Sequence, residues 1–302
     1  MTSIGLGVTV FERTKKLSNL LSSISANSLI STVYIGDNGR LTDEKRSLYA
    51  TEFPFELEVV NLEFDAGLAQ SRKAVVEESD DDFFLVVDND VKIPHNVSNL
   101  LTILQEQQEL GGVGGILIEN GRIRSDCYDL HERGPLLLKD IREDKPIRSV
   151  DGHPLVQFDQ IQNVTMYRRE CLEDYCWDPE YVIGWEHTDF FLGHKKKTNW
   201  EFGVCPEVMF RHYPGGNTDY ISKRRSHHRI RQTKKYFLDK WGYEQVLNGQ
   251  TNWLESHDGL PPTEAPASEL GKQGLLALPT GLQVHLMNLR DSVRKLRGEP
   301  PF

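Results

Sequence analysis

Five consecutive apolar residues, Phe83-Phe84-Leu85-Val86-Val87, run directly into Asp88-Asn89-Asp90. A run this short and this apolar fits a strand covered on both faces, with a polar turn at its carboxyl end. Strand and helix signals alternate around it. Residues 4–11 form a β-branched run, followed by Leu17, Leu20, Leu21 and Ile24 at helical spacing behind Thr14 as N-cap. Residues 31–35 read as a second strand ending in the turn signal Gly36-Asp37-Asn38-Gly39, and 57–62 as a third. Residues 67–78 read as a helix, Val97, Leu100, Leu101 and Leu104 mark another, and 113–118 a further strand. This order predicts the α/β class, a mainly parallel Rossmann-like sheet flanked by helices.

The 302 residues suffice for one large domain with a modest appendage. With 38% hydrophobic and 26% charged residues the chain is a folded globular protein. A net charge of -10 repels phosphate backbones and disfavours nucleic acid as a partner. The four cysteines form no Cys-x-x-Cys pair and suggest neither a zinc site nor a disulfide framework. No apolar run is long enough to cross a bilayer, and Met1 to Val10 lack the basic start of a secretory signal. The expectation is a cytoplasmic protein, at most peripheral at the cytosolic membrane face.

Ligands of open α/β sheets bind outside the carboxyl ends of the strands. The residues there are Glu12-Arg13, Asp37-Asn38, Asp65 and Asp88-Asn89-Asp90. Strand alternation would turn Asp88 and Asp90 to the same side, where paired carboxylate oxygens suit Mg²⁺ or Mn²⁺; a solvated acidic turn is the plainer alternative. A second constellation, Gly184-Trp185-Glu186-His187-Thr188-Asp189-Phe190-Phe191, places Glu186 and Asp189 on one face of a helix start. A carboxylate held there can act as a general base, or serve only the helix dipole. His212 ends the short run Val208-Met209-Phe210-Arg211 and is a candidate third metal ligand.

In their order these features resemble the family 2 type glycosyltransferases of the GT-A fold. The residues that carry the resemblance are Val8 to Arg13, Tyr34 to Gly39, Asp65-Ala66-Gly67-Leu68 with Arg72, Asp88-Asn89-Asp90, Glu186 to Phe190, His212 and Lys240-Trp241-Gly242, across the first four-fifths of the chain. The resemblance implies a metal-dependent, inverting transfer of a hexosyl or N-acetylhexosaminyl group from a nucleotide diphosphate sugar, UDP-linked, to a glycan or lipid-linked acceptor. It implies that Asp37 contacts the base beside Thr9 and Glu12, and that Asp65 and Arg72 contact the base or diphosphate, with Asp88 and Asn89 in the same donor site. Asp88, Asp90 and His212 would hold Mn²⁺ or Mg²⁺. The family's base is commonly an aspartate where this chain has His187. That leaves Glu186 as first choice, Asp189 as second and His187 as third. An inactive nucleotide-sugar or carbohydrate-binding protein of the same fold is the alternative. A nucleotidyltransferase is disfavoured because Phe11-Glu12-Arg13-Thr14 is not a Gly-rich phosphate loop.

The expected organisation is a GT-A domain over 1–247, a Gly/Pro/Ser/Thr-rich linker over 248–280, and a C-terminal helical appendage over 281–302. Residues 122–150 read as an irregular excursion. Leu282, Leu286, Leu289, Val293 and Leu296 share one helical face among Arg290, Arg294, Lys295 and Arg297, which suits either anionic lipid or packing on protein. The basic cluster Lys223-Arg224-Arg225, His227, His228, Arg229, Arg231, Lys234 and Lys235 reads mostly as a solvated helix face.

Overall fold

A computed structural model describes residues 2–141, 144–216, 218–224, 226–251, 253–254 and 274–299. Its centre is a parallel set in the order β3 (Glu56–Asn61), β2 (Thr32–Asp37), β1 (Ile4–Val10), β4 (Phe83–Asp88). Beyond β4 the sheet continues through the antiparallel β12 (Val164–Arg168) to β6 (Leu110–Glu119) and β13 (Glu201–His212), which are parallel to each other. β5 (Val91–Lys92) pairs with the end of β13, and β7 (Arg122–Arg124) with β6. The antiparallel β11 (His153–Gln157) and β10 (Arg148–Val150) close the far edge.

Alternation along β4 sorts its side chains between two cores. Phe83, Leu85 and Val87 join Leu6, Val8 and Val33 under α1 (Thr14–Ile24) and α4 (Ser98–Glu106). Phe84 and Val86 join Tyr34 on the other face, with α3 (Leu68–Glu78) and α6 (Glu186–Lys197). This double burial explains why β4 is apolar at every position. α3 lies so close to β2 that a Cβ on Gly36 would stand 2.7 Å from the Ser71 carbonyl oxygen. The short α2 (Asp43–Tyr49) is capped by Thr42, whose hydroxyl accepts from the Lys45 N–H, whereas Thr14 is the first residue of α1 and makes no cap. α5 (Arg169–Asp174) follows β12.

The expectation of an irregular excursion over 122–150 is corrected. β8 (Asp129–Arg133) and β9 (Leu136–Asp140) form a hairpin, and β14 (Gln245–Asn248) adds in parallel to β9 as a second, three-stranded sheet. Short strands whose charges cluster at their ends, as Glu132-Arg133 and Lys139-Asp140 do, show no clear alternation, and only Leu136-Leu137-Leu138, buried on both faces of β9, betrays a strand. Most of the expected linker, 255–273, lies outside the described residues. α7 (Thr218–Arg224) and α8 (His227–Trp241) precede β14, and α9 (Thr280–Leu296) follows it.

α9 packs on the small sheet through a face the sequence pattern did not single out. Val284 and Met287 meet Leu136, Leu138 and Leu247, and Asp291 accepts from Lys234 Nζ at 2.8 Å. The leucine stripe of α9 faces outward, because the helix carries two apolar faces and the sheet takes the narrower one. If this docking is part of the fold, Met287→Ala should lower the unfolding free energy by about 2–4 kcal/mol. Urea unfolding tests this: an unchanged midpoint would mean that α9 is an independent appendage.

Candidate active site

The chain runs from β1 to β2 and β3 on one side and returns to β4 on the other, so the boundary of β1 and β4 is a topological switch point. The parallel register sets Thr9 opposite Asp88 and Val10 opposite Asp37, which brings the carboxyl ends of three strands flush. A cleft opens there. Thr9, Phe11 and Arg13 form its floor with Asn38, Asp88 and Asn89, and Asp65, Val182 and Ile183 one wall, while Tyr220, Lys223 and Arg229 close over it. Gly67, at φ +107°, carries the wall: a Cβ there would lie 2.6 Å from Val182 Cα, and the Leu68 N–H donates to the Val182 carbonyl at 2.9 Å.

The same-side expectation for Asp88 and Asp90 is corrected. The chain turns at Asn89-Asp90, ending strand alternation, and the two carboxylates separate. Asp88 Oδ1 faces Arg72 Nη2 at 3.4 Å and accepts from Asn163 Nδ2 at 3.1 Å. Asp90 Oδ2 is paired with Arg13 and lies 3.4 Å from His212 Nε2. β5 brings this about by pairing Val91 with His212, which also stands opposite Glu119 at the end of β6. Glu119 Oε2 is 2.6 Å from His212 Nδ1 and fixes the ring so that Nε2 points at Asp90. Burial pulls the imidazole pKa down, but the Asp90 and Glu119 carboxylates outweigh it and raise it. Burial pushes Asp90 up, and the hydrogen bond from His212 with the charge of Arg13 holds it below the usual carboxylate range.

Arg72 connects this cleft to the second constellation. Its guanidinium, buried beside the Trp177 ring, reaches Asp88 through Nη2 and Glu186 Oε1 at 3.5 Å through Nη1. Glu186 is 7% exposed, and its Oε2 is buried without a hydrogen-bond partner. Arg72 Nε, Asn89 Oδ1, Asn163 Oδ1 and His187 Nδ1 are likewise buried and unpartnered. Buried polar atoms are rarely left so; Asn89 lines the cleft, and the other four belong to the cluster that Arg72 and Asn163 join to it through Asp88. Trp185 at φ +70° adds left-handed backbone that a bulky side chain seldom adopts.

The three candidate bases separate clearly. Asp189 is fully buried: Tyr181 O–H and Trp241 Nε1–H donate to Oδ1 at 3.0 and 2.8 Å, Tyr175 O–H donates to Oδ2 at 3.0 Å, and Lys240 lies 2.9 Å away. It anchors α6 to α8 and turns no free oxygen toward the cleft. His187 donates from Nε2 to the Ile161 carbonyl at 2.6 Å, and burial beside the positive Arg72 lowers its pKa to about 3, so it is a neutral group. Glu186 alone keeps a free carboxylate oxygen.

Asp37 is buried under the cleft floor, with Lys45 Nζ at 2.6 Å and Tyr49 O–H donating at 2.7 Å, and its neighbour Asn38 lines the cleft instead. Glu12 faces Arg40 near the mouth. Asp65 is clasped by Lys223 at 2.6 Å and Arg229 at 2.8 Å, which hold its carboxyl below the usual range against the opposing effect of burial. These two cations correct the solvated-face reading of the basic cluster at their own positions. Glu119, Asn163 and Lys139 were missed, as no local pattern marks them. Lys139 donates to the Thr188 hydroxyl at 2.7 Å and lies over the Trp185 ring, and burial lowers its pKa to about 7, with Glu186 opposing.

No protein-family model and no curated protein sequence matches the chain. Solved structures do. S. aureus TarS 1-349 superposes with a TM-score of 0.53 at 14% identity, covering 78% of this chain and 66% of that one. Its complex with UDP gives a TM-score of 0.53 at 15% identity over 95% and 78%. GalNAc-T7 with UDP, GalNAc and Mn²⁺ gives a TM-score of 0.57 at 11% identity over 91% and 54%. The chain has the GT-A fold. It spans about two thirds of TarS 1-349 and about half of GalNAc-T7.

The GalNAc-T7 structure contains Mn²⁺. Among the described residues no three His, Cys, Asp or Glu side chains converge on one point, so a metal held by protein alone does not fit. Asp90 and His212, with Glu119 behind the ring, do fit an ion that takes its other ligands from phosphate and water.

Asp189→Asn should destabilise the protein by about 1.5–3 kcal/mol, because the hydrogen bonds from Tyr181, Tyr175 and Trp241 lose their charged acceptor while Lys240 keeps Asp178. Thermal unfolding should show a large drop for it and little change for Glu186→Gln. Lys139 has the opposite linkage to a paired lysine. Its folded pKa, about 7, lies below its ordinary 10.5, so the unfolded chain binds the extra proton between these values. Stability should rise with pH from about 7 to 10.5, the penalty being complete below 7. Lys139→Met should remove that slope in denaturation measured across this range.

Proposed function

We propose that the chain is a metal-dependent glycosyltransferase that moves a hexosyl or N-acetylhexosaminyl group from a UDP-linked donor to a glycan or lipid-linked glycan acceptor, with inversion. The observation that carries the reading is the Arg72 bridge from Asp88, in the donor cleft, to Glu186, whose second oxygen is buried and unpaired. The neighbouring structures that hold UDP, UDP-GlcNAc and Mn²⁺ support a nucleotide sugar as donor.

In this reading the base and ribose enter the cleft between Thr9, Asn38 and Asp65, and the diphosphate lies toward Asp90. Mn²⁺ or Mg²⁺ at Asp90 and His212 would supply charge neutralisation for the leaving diphosphate. Arg13, now on Asp90, and Lys223 and Arg229, now on Asp65, are cations within reach of the same phosphates. Arg72 holds Asp88 and Glu186 at a fixed separation. Glu186 takes the proton from the acceptor hydroxyl through Oε2 as that oxygen attacks the anomeric carbon. The neutral His187 and Asn163 line the approach and offer unpaired acceptors to sugar hydroxyls. Asp37 supports the base pocket from beneath, through the position of Asn38.

Glu186→Gln should reduce turnover by at least about 10²-fold, within the range for loss of a general base, while UDP affinity stays within about two-fold. Asp90→Ala should abolish the strengthening of UDP binding by Mn²⁺. Calorimetric titration of UDP with and without Mn²⁺, together with a screen of nucleotide sugars for hydrolysis, measures both. UDP binding without any turnover by the wild-type chain would favour a binding protein of the same fold.

A further inference from the structure

Among the described residues nothing covers the outer face of α9, although the helix is firmly seated. Val284 and Met287 fix one side of it against the small sheet, and the fully buried Gln283 donates to the Leu276 and Leu278 carbonyls at 3.0 and 2.8 Å. Lys234 holds Asp291, and Gln245 donates to Asn288 at 2.7 Å. The carboxyl end is held as well, for His227 Nδ1 lies 3.0 Å from the Gly298 carbonyl and Arg231 donates to that of Glu299. With this side anchored, Leu282, Leu286, Leu289, Val293 and Leu296 point away from the protein, Leu289 at 56% and Leu296 at 89% exposure. At 100° per residue these five lie within an arc of about 80°, and at 1.5 Å per residue they extend over about 21 Å. Contiguous apolar surface of this kind is unusual on a soluble monomer and marks an interaction site.

The charges beside the stripe identify what covers it. Arg290 and Arg297 follow Leu289 and Leu296 by one residue, so both lie along one edge of the stripe, with Arg294 and Lys295 further round. The one acidic residue of α9, Asp291, is on the anchored side with Lys234. The exposed surface of the helix is therefore apolar and cationic within a chain of net charge -10. Just past the helix, Glu299 lies 3.6 Å from Arg294 and 4.0 Å from Arg297 and answers only part of this positive charge. A second copy packed along the stripe would therefore bring two net-cationic edges together. Five partly exposed aliphatic side chains also fall well short of the roughly 800 Å² per partner that a stable interface buries. An anionic bilayer has neither problem. The leucines enter the acyl boundary, and the arginines reach the headgroup phosphates while their stems stay on the apolar side.

We infer that α9 docks this protein on an anionic membrane surface, lying flat with Leu282, Leu286, Leu289, Val293 and Leu296 inserted. The carboxyl end of α9 is tied to the start of α8, the helix that carries Arg229 over the donor cleft. This inference stands on α9 alone and does not require the proposed sugar transfer.

Co-sedimentation of the full chain with vesicles of phosphatidylglycerol and phosphatidylcholine tests it, with vesicles of phosphatidylcholine alone as comparison. Binding to the anionic vesicles is expected, at least about ten-fold stronger than to the neutral ones and weakened by salt. Leu289→Glu with Leu296→Glu should reduce it by at least about ten-fold while leaving thermal unfolding and UDP binding unchanged, since both side chains are exposed. Arg297→Gln with Lys295→Gln should reduce the preference for anionic vesicles and leave the weaker neutral binding in place. Equal binding to both vesicle types, no binding, or a wild-type dimer that the leucine substitutions dissociate in light scattering would each overturn the inference.

Discussion

The pairing of β1 between β2 and β4 is the constraint on which the rest of the structure depends. Strand β4 is apolar on both faces, so it must lie inside the sheet with a helical layer above and below. Its parallel register with β1 then decides where the chemistry can be. Thr9 stands opposite Asp88, and Asn38 follows the Val10–Asp37 pair, so the polar ends of three strands meet at one edge. Everything that completes the cleft is brought to that edge by longer-range packing.

Two such completions differ in kind. At Asp90 the sheet itself delivers the partners: β5 pairs with the end of β13, and β13 with β6, so His212 has Asp90 on one side and Glu119 on the other. At Glu186 a single side chain, Arg72 from α3, links two loops through a shared guanidinium. A planar donor with fixed geometry suits that task better than a lysine ammonium would. The third cluster, around Asp189, is a buried polar hub rather than a reactive site. Tyr175, Tyr181, Trp241 and Lys240 consume its oxygens, and they are what keeps α6, and hence Glu186, against α8.

Particular residues show how far the sequence could be read. The mainly parallel sheet flanked by helices followed from the alternation of apolar runs, and of the residues the strand-end rule named, Arg13, Asn38, Asp65, Asp88 and Asn89 line one cleft. The rule failed one residue beyond β4, where a turn replaced strand alternation and sent Asp88 and Asp90 to different partners. Asp37 was legible as a strand-end carboxylate, but its engagement by Lys45 and Tyr49 depends on how α2 folds back. Asn163 and Glu119 carried no local signal, since each matters only through a neighbour distant in sequence. Along α9 the sequence showed the conspicuous leucine stripe, whereas the structure seats the helix through Val284 and Met287.

By itself the sequence determined the α/β class, the strand ends and the set of carboxylates available for chemistry, because periodicity and burial are local properties of the chain. The tertiary structure decided which of those carboxylates are spent on structure and which are left free. Asp189 and Asp37 are saturated by partners from other elements, and Glu186 keeps one oxygen unpaired. The physical reason is that a buried carboxylate's role is set by the donors that surround it, and those donors arrive from distant segments, as Arg72 does at Glu186 from 114 residues away.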